Sequence, residues 1–125
     1  MPRRESAYAK YPDYRVDLDR RDQTARVRFG GEIIAETARP LYVLETKHDP
    51  VVYFPRADVR FDLLEATEHE TFCPFKGEAS YWTIRVGERS AENAVWGYDD
   101  PFPEVAGLEA YVAFYPDRVE IETGS

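Results

Sequence analysis

The feature that most constrains this chain is a series of short segments in which apolar and polar residues alternate. Residues 14–19, 25–29 and 32–36 follow this pattern, and a period of two residues is typical of β-strands with one buried face. Gly30 and Gly31 separate the second segment from the third, and glycine readily adopts the positive φ that a two-residue hairpin turn requires. The pattern therefore predicts an antiparallel hairpin across these two segments.

Further strands are predicted where apolar, β-branched and aromatic residues cluster between turn-forming residues. They cover residues 41–45, 51–54, 80–86, 93–98, 111–115 and 119–122. The last two are expected to form a closing hairpin around Pro116 and Asp117. About eight short strands without alternating helices predict a mainly β fold, either a curled antiparallel sheet or a sandwich of two sheets.

Helices are expected to be few and short. Asp58 can cap a helix that ends at Leu64, and one helical turn is expected near Glu104. Residues 71–77 contain a proline and a glycine, so they are predicted to form a loop.

The chain has 125 residues, which is close to the ordinary size of one domain. Residues 1–13 are expected to form a loosely ordered N-terminal arm, and residues 14–125 a single all-β domain. No signal peptide is recognised, and no stretch approaches the ~18 apolar residues of a membrane-spanning helix. A cytoplasmic location without membrane attachment is therefore expected.

Charge and cysteine content exclude several classes of partner. The formal net charge of −8 argues against nucleic acid, because phosphate binding requires a clustered basic surface. Cys73 is the sole cysteine and the chain has two histidines, so no disulfide and no metal site are expected. The sequence indicates no particular cofactor and leaves the oligomeric state open.

The densest group of chemically useful residues lies between Thr71 and Ala79. Cys73 precedes Lys76 by three residues, and a nearby ammonium group favours the thiolate form of a cysteine. Lys76 could instead bind an anion or a carbonyl group, with Gly77 allowing backbone N–H groups to approach the same ligand. A structural interpretation is more common for a lone cysteine, and in it Cys73 is a small buried apolar residue and Lys76 a solvated loop charge.

Aromatic residues form the second group. They are Tyr81, Trp82, Trp96, Tyr98, Phe102, Tyr111, Phe114 and Tyr115. Trp96 and Tyr98 share one face of a strand, so one sheet face could present rings to a planar or cationic ligand. Aromatic residues on strands are more often part of the core, so the same residues could instead fill it.

Carboxylates suggest two further sites. Asp17 and Asp19 have the spacing of a metal-binding pair, although the Gly-Ser turn of nucleotide-transfer enzymes is absent. Glu45 ends a predicted strand and could pair with Arg39 inside a cavity, or on the surface. Phosphate-binding loops and the common hydrolase motifs are absent from the sequence.

Five motifs together resemble a known family. They are Leu44-Glu45, Val52-Tyr53-Phe54-Pro55, Cys73-Pro74-x-Lys76-Gly77-x-Ala79-x-Tyr81, Ala94-x-Trp96-x-Tyr98 and Val112-Ala113-Phe114-Tyr115. Their order and spacing resemble the bacterial family DUF427, a domain of unknown function, from about Ala25 to Val119. The Cys-Pro-x-Lys-Gly run is the most specific part of the resemblance.

This resemblance implies a compact antiparallel β domain of two angled sheets with one or two short helices, similar to the β-tent (Mss4-like) group. Zinc, which some members of that group bind through paired C-x-x-C motifs, does not carry over to a chain with Cys73 alone. An aromatic-lined cleft between the sheets that holds a small ligand is implied by fold analogy. The family is sometimes described as nucleotidyltransferase-like, a description that no motif here supports.

Three functions follow as hypotheses. The first is a domain that binds a small ligand in an aromatic cleft, and the second an enzyme in which Cys73, Lys76 or Glu45 acts on a small anionic or nucleotide-like substrate. The third is a protein-interaction module. The candidate ligand-binding residues are Arg39, Glu45, Tyr53, Cys73, Lys76, Tyr81, Trp96 and Tyr98.

Overall fold

The computed structural model describes residues 5–124, which form two antiparallel β-sheets. The strands are β1 (Val16–Arg20), β2 (Thr24–Phe29), β3 (Glu32–Thr37), β4 (Leu41–Glu45), β5 (Val51–Pro55), β6 (Leu64–Cys73), β7 (Gly77–Val86), β8 (Arg89–Gly97), β9 (Tyr111–Phe114) and β10 (Glu120–Gly124). Short 3₁₀ helices cover Arg56–Asp58, Phe61–Leu63 and Pro103–Ala110. The predicted fold class, a compact antiparallel β domain of two sheets with short helices, is confirmed.

The larger sheet has seven strands in the order β1-β4-β5-β9-β8-β7-β6, and the smaller has three in the order β10-β2-β3. The predicted glycine hairpin joins β2 to β3, with Phe29 opposite Glu32. Gly30 and Gly31 have φ values of 60° and 85°, a conformation that residues with a Cβ rarely adopt. No helix in residues 5–124 is long and apolar enough to cross a membrane.

The predicted closing hairpin is wrong. β9 lies between β5 and β8 in the larger sheet, whereas β10 pairs with β2 in the smaller one. All four residues of β9 are buried, as a central strand requires, and most of β10 is exposed. Sequence patterns identify strands but not their partners, and residues 115–119 carry the chain from one sheet to the other.

Two other local predictions are also wrong. The helix from Asp58 to Leu64 is replaced by two 3₁₀ turns, because Val59 pairs with Ala35 and the Arg60 N–H donates to the Ile34 carbonyl at 2.8 Å. A helix this short is marginal, and pairing with β3 extends the chain instead. Likewise, residues 71–73 belong to β6 rather than to a loop.

The core has two parts, one on each face of the larger sheet. On the first face, Phe54, Ile84 and Phe114 pack against Val27 and Ile34 of the smaller sheet. On the opposite face, a second buried group joins strand residues to the 3₁₀ helix Pro103–Ala110. It consists of Leu41, Val43, Tyr53, Ala79, Tyr81, Tyr98, Phe102, Val105, Leu108, Tyr111 and Ala113. That helix covers only part of the second face, and the remainder holds the site described next.

Candidate functional site

A cleft of about 560 Å³ lies on the face of the larger sheet that is turned away from the smaller sheet. This volume is within the range of small-ligand sites. The lining residues are Tyr14, Val43, Glu45, His48, Asp49, Val51, Tyr53, Phe72, Cys73, Pro74, Phe75, Lys76, Tyr81, Trp96, Tyr98 and Tyr115. None of them belongs to the smaller sheet, so the expected position of the cleft, between the two sheets, is wrong. We call this site the aromatic cleft.

Buried tyrosines form the floor of the aromatic cleft. Tyr53 and Tyr98 are 2% and 5% exposed, and the Trp96 indole N–H donates to the Tyr53 hydroxyl oxygen at 3.2 Å. Burial raises the pKa of both tyrosines above the ordinary value, so their hydroxyls stay protonated at neutral pH. Tyr53 and Tyr98 therefore belong both to the core and to the cleft, since they pack among buried residues and also line the cleft.

A line of hydroxyl groups forms one end of the floor. The Tyr81 hydroxyl lies 2.9 Å from that of Thr71 and 3.4 Å from that of Tyr115. The Tyr115 ring also lies 4.5 Å from the Trp96 ring. Burial, followed by the hydrogen bond with Tyr81, raises the pKa of Tyr115 to about 12. The Tyr115 hydroxyl can therefore donate to or accept from a ligand without ionising.

The other end carries a largely buried ion pair. The Lys76 ammonium donates to Glu45 Oε1 and the Tyr14 hydroxyl donates to Oε2, while His48 Nε2 lies 4.0 Å from the same carboxylate. The side chains of Glu45 and Lys76 are each 12% exposed. Burial raises the pKa of Glu45, but the hydrogen bonds from Lys76 and Tyr14 outweigh it, and the net pKa is lowered. The Glu45 carboxylate is consequently ionised at neutral pH.

The turn between β6 and β7 places Lys76 and Cys73 at the cleft. The Lys76 N–H donates to the Cys73 carbonyl at 3.3 Å, and the Lys76 carbonyl accepts from the Phe102 N–H at 3.1 Å. Gly77 has a φ of 117°, which explains why glycine ends the Cys-Pro-x-Lys-Gly run. Cys73 is half-buried with a free thiol and lines the aromatic cleft.

The segment before β1 packs onto the same turn. The Ala7 N–H donates to the Pro74 carbonyl at 2.9 Å and the Tyr8 hydroxyl to the Phe75 carbonyl at 2.8 Å. Tyr14 stacks on Phe75, with ring centroids 3.7 Å apart and an angle of 11° between the rings. Tyr14 thus links this segment, the turn and the Glu45 carboxylate.

Replacing Tyr14 by Phe is expected to lower the free energy of unfolding by about 1 kcal/mol, because it removes one hydrogen bond to a charged acceptor and keeps the ring on Phe75. Urea unfolding at pH 7 measures the change. Tyr42→Phe is the matched control, since that hydroxyl donates to the uncharged Gln23 side chain. A Tyr14→Phe variant that loses no more stability than the control would contradict the role given to Tyr14.

Seven of the eight residues that the sequence singled out line the aromatic cleft. They are Glu45, Tyr53, Cys73, Lys76, Tyr81, Trp96 and Tyr98. Arg39 does not; it is exposed, and it precedes β4 whereas Glu45 ends it. Six residues of extended chain span roughly 20 Å, so the suggested pair of Arg39 and Glu45 is wrong, and Lys76 takes the place of Arg39.

The carboxylates of β1 do not form a site. Asp17 and Asp19 are bound by the neighbouring Arg15 and Arg21 on the surface. Within residues 5–124, no three His, Cys, Asp or Glu side chains converge closely enough to hold a metal ion.

Sequence reasoning missed Tyr14, His48 and Phe75 as cleft residues. Tyr14 and Phe75 are far apart in the chain and meet only through the fold. The abundance of tyrosine was the available signal, and Tyr14 begins the predicted strand segment 14–19, but the pattern does not show that its ring meets Phe75.

A second, polar recess of about 450 Å³ adjoins the aromatic cleft. It is lined by His69, Tyr81, Glu92, Asn93, Tyr115, Asp117 and Arg118. Tyr81 and Tyr115 line both spaces, so their paired hydroxyls stand at the boundary. We call this second space the polar recess.

Two β-bulges shape the polar recess. On β6, residues 67–69 stand opposite the single residue Tyr81, and on β8, residues 92–94 stand opposite Thr83. Asn93 has a φ of 51°, and its side-chain oxygen accepts a 2.7 Å hydrogen bond from Thr67. Bulges of this kind redirect side chains and are frequent beside functional sites.

The fold and the cleft define a class of protein: a small antiparallel β domain with an aromatic cleft on the outer face of its larger sheet. Within that class, residues 17–125 match the family described as Domain of unknown function (DUF427), and the chain belongs to this family. The resemblance seen in the sequence motifs is thereby confirmed. The comparison with curated proteins gave no match.

Proposed function

We propose that this domain binds a small organic molecule in the aromatic cleft, with its planar or apolar part on the rings. The observation that carries the proposal is the combination of a cleft of ligand size with buried rings and one charged pair in its wall. Such a mixture of apolar surface and a few fixed polar groups is the usual composition of a ligand site.

The other two hypotheses have less support. An enzyme that uses Lys76 against an anionic substrate would have to separate the ammonium from Glu45, to which it is already bound. A protein partner would reach little of the aromatic surface, because Tyr53, Tyr81 and Tyr98 are all less than 10% exposed. A small ligand that fits inside the cleft of about 560 Å³ need not separate that ion pair.

The two tryptophans provide a direct test. Trp96 lines the aromatic cleft, whereas Trp82 packs on the opposite face of the sheet against Phe61, with ring centroids 5.7 Å apart. In a Trp82→Phe variant, Trp96 is the sole tryptophan, and a bound ligand is expected to change its emission. The matched Trp96→Phe variant keeps Trp82, whose emission should not respond.

The panel should consist of planar organic amines, acids and neutral compounds, and thermal unfolding of the unaltered protein should be measured in parallel. A ligand at about 100 times its dissociation constant adds about 2.7 kcal/mol of stability, which corresponds to a rise of several degrees in the midpoint. Emission changes confined to Trp96 support the proposal. A ligand that stabilises the protein but changes only the Trp82 emission would place its site elsewhere and contradict it.

A further inference from the structure

We infer that the ligand of the aromatic cleft is an organic cation, with an apolar body on the rings and an ammonium or guanidinium end in the polar recess. This inference rests on the proposed function and narrows it to one class of molecule. It depends on the distribution of charged groups around the two adjoining spaces and on which of those groups are already paired.

The aromatic cleft offers no uncommitted permanent cation among its described lining residues. Lys76 is its sole lysine or arginine, and its ammonium is bound to Glu45. The Glu45 carboxylate is likewise occupied, by Lys76 at one oxygen and by Tyr14 at the other. An anionic or a cationic group would therefore have to displace an existing partner at that end of the cleft.

The polar recess differs because its carboxylates are unoccupied. Among the described residues, neither Glu92 nor Asp117 takes part in an ion pair or a side-chain hydrogen bond. Arg118 is the single permanent cation there, and the two carboxylates outnumber it. A positive group is therefore attracted to the recess more strongly than a negative one.

The aromatic cleft and the polar recess adjoin each other, so the ligand is expected to be long enough to extend from one into the other. Tyr81 and Tyr115 line both, and Tyr115 lies beside Trp96. A molecule whose ring rests against Trp96 can thus pass the two tyrosine hydroxyls and place its charged end between Glu92 and Asp117. Aromatic faces also attract cations directly, and the net charge of −8 favours the approach of a positive ligand at low salt.

The test uses three probes with the same body: phenylbutylamine, phenylbutanol and phenylbutyrate. Binding is measured by Trp96 emission in the Trp82→Phe variant and by calorimetry on the unaltered protein. We expect the amine to bind about tenfold more tightly than the acid, since two exposed carboxylates each contribute modestly. The preference should decrease as salt is added.

Matched variants test whether Glu92 and Asp117 cause the preference for the amine. Glu92→Gln together with Asp117→Asn should abolish the preference for the amine and leave the affinity for the alcohol unchanged. Glu88→Gln together with Glu109→Gln makes the same change in net charge at exposed positions outside both spaces, and the preference for the amine should persist.

The outcomes separate this inference from the proposed function. Binding of the alcohol or the acid as tightly as the amine would overturn the inference and leave the proposed function standing. A preference for the amine that survives the recess substitutions would overturn the assignment of the cation to the recess. If none of the three probes changes Trp96 emission or the calorimetric signal at millimolar concentration, both the inference and the proposed function fail.

Discussion

Replacing Glu45 by Gln is expected to lower the free energy of unfolding by about 3 kcal/mol, although the substitution changes the volume of the side chain very little. The reason is that the Lys76 ammonium, 12% exposed in its side chain, would lose its charged partner, and a largely buried charge without a partner is costly. Urea unfolding at pH 7 measures the difference.

The reciprocal substitution completes the experiment. Lys76→Met removes the ammonium and leaves Glu45 with Tyr14 and His48, so it should also destabilise the protein. The variant with both substitutions no longer contains an unpaired buried charge, and its loss should be smaller than the sum of the single losses by about 1–3 kcal/mol. Additive losses would show that the two side chains do not act as a pair.

The pH dependence of the loss in Glu45→Gln has a definite sign. The folded-state pKa of Glu45 is lowered, so its ionised form contributes stability that is fully present above the unfolded-state value of about 4.3. This contribution is lost as the pH falls through the folded-state pKa. The difference between the two proteins should therefore be constant from about pH 7 to pH 5.5 and shrink below about pH 4. A difference that stays constant down to about pH 3 would show that ionisation of Glu45 is not its source.

Replacing Phe114 by Ala is expected to cost about 4 kcal/mol, which is typical of the removal of a large buried ring. Phe114 is 1% exposed and packs edge-on against Phe54, with ring centroids 5.6 Å apart, in the core between the two sheets. The substitution leaves a cavity that the surrounding strands can fill only in part. Thermal or urea unfolding is the appropriate measurement.

The next residue in the chain is the matched control. Tyr115 points towards the cleft and is 37% exposed, so Tyr115→Ala should cost only about 1 kcal/mol and should weaken ligand binding instead. Equal losses of stability at the two positions would contradict the placement of Phe114 in the core and of Tyr115 at the cleft. The pair of substitutions thus separates residues that hold the sheets together from residues that line the cleft.

Local chemistry made most of the strands predictable. The glycine hairpin is the clearest case, since alternation on both sides of Gly30 and Gly31 identifies both strands and the turn between them. β6 is not predictable in the same way, because most of its side chains are exposed. An edge strand of this kind lacks the alternation of apolar and polar residues that indicates a strand. The partner of β9 was not predictable either, because any other buried strand would suit its sequence equally well.

In the candidate site, too, features that depend on neighbouring residues in the chain were predictable, and features that depend on the fold were not. The run from Cys73 to Tyr81 drew attention because thiol, amine and glycine stand close together in the chain, and the structure places that run in the wall of the cleft. Glu45 is indicated in the sequence as a carboxylate at the end of an apolar strand, but Arg39 is the wrong partner for it. Its actual partner lies in a turn 31 residues away, and only the packing of β4 against the rest of the sheet brings the two together.

β6, one of the two edge strands of the larger sheet, has a consequence for solubility. An exposed strand edge offers unpaired backbone groups to which the edge of a second molecule can add, and this is a common route to aggregation. On β6, the bulge at residues 67–69 breaks the regular spacing of those groups, and Glu65, Glu68 and Glu70 place negative charges along the same edge. The irregularity that shapes the polar recess therefore also makes this edge a poor template for the growth of a fibril.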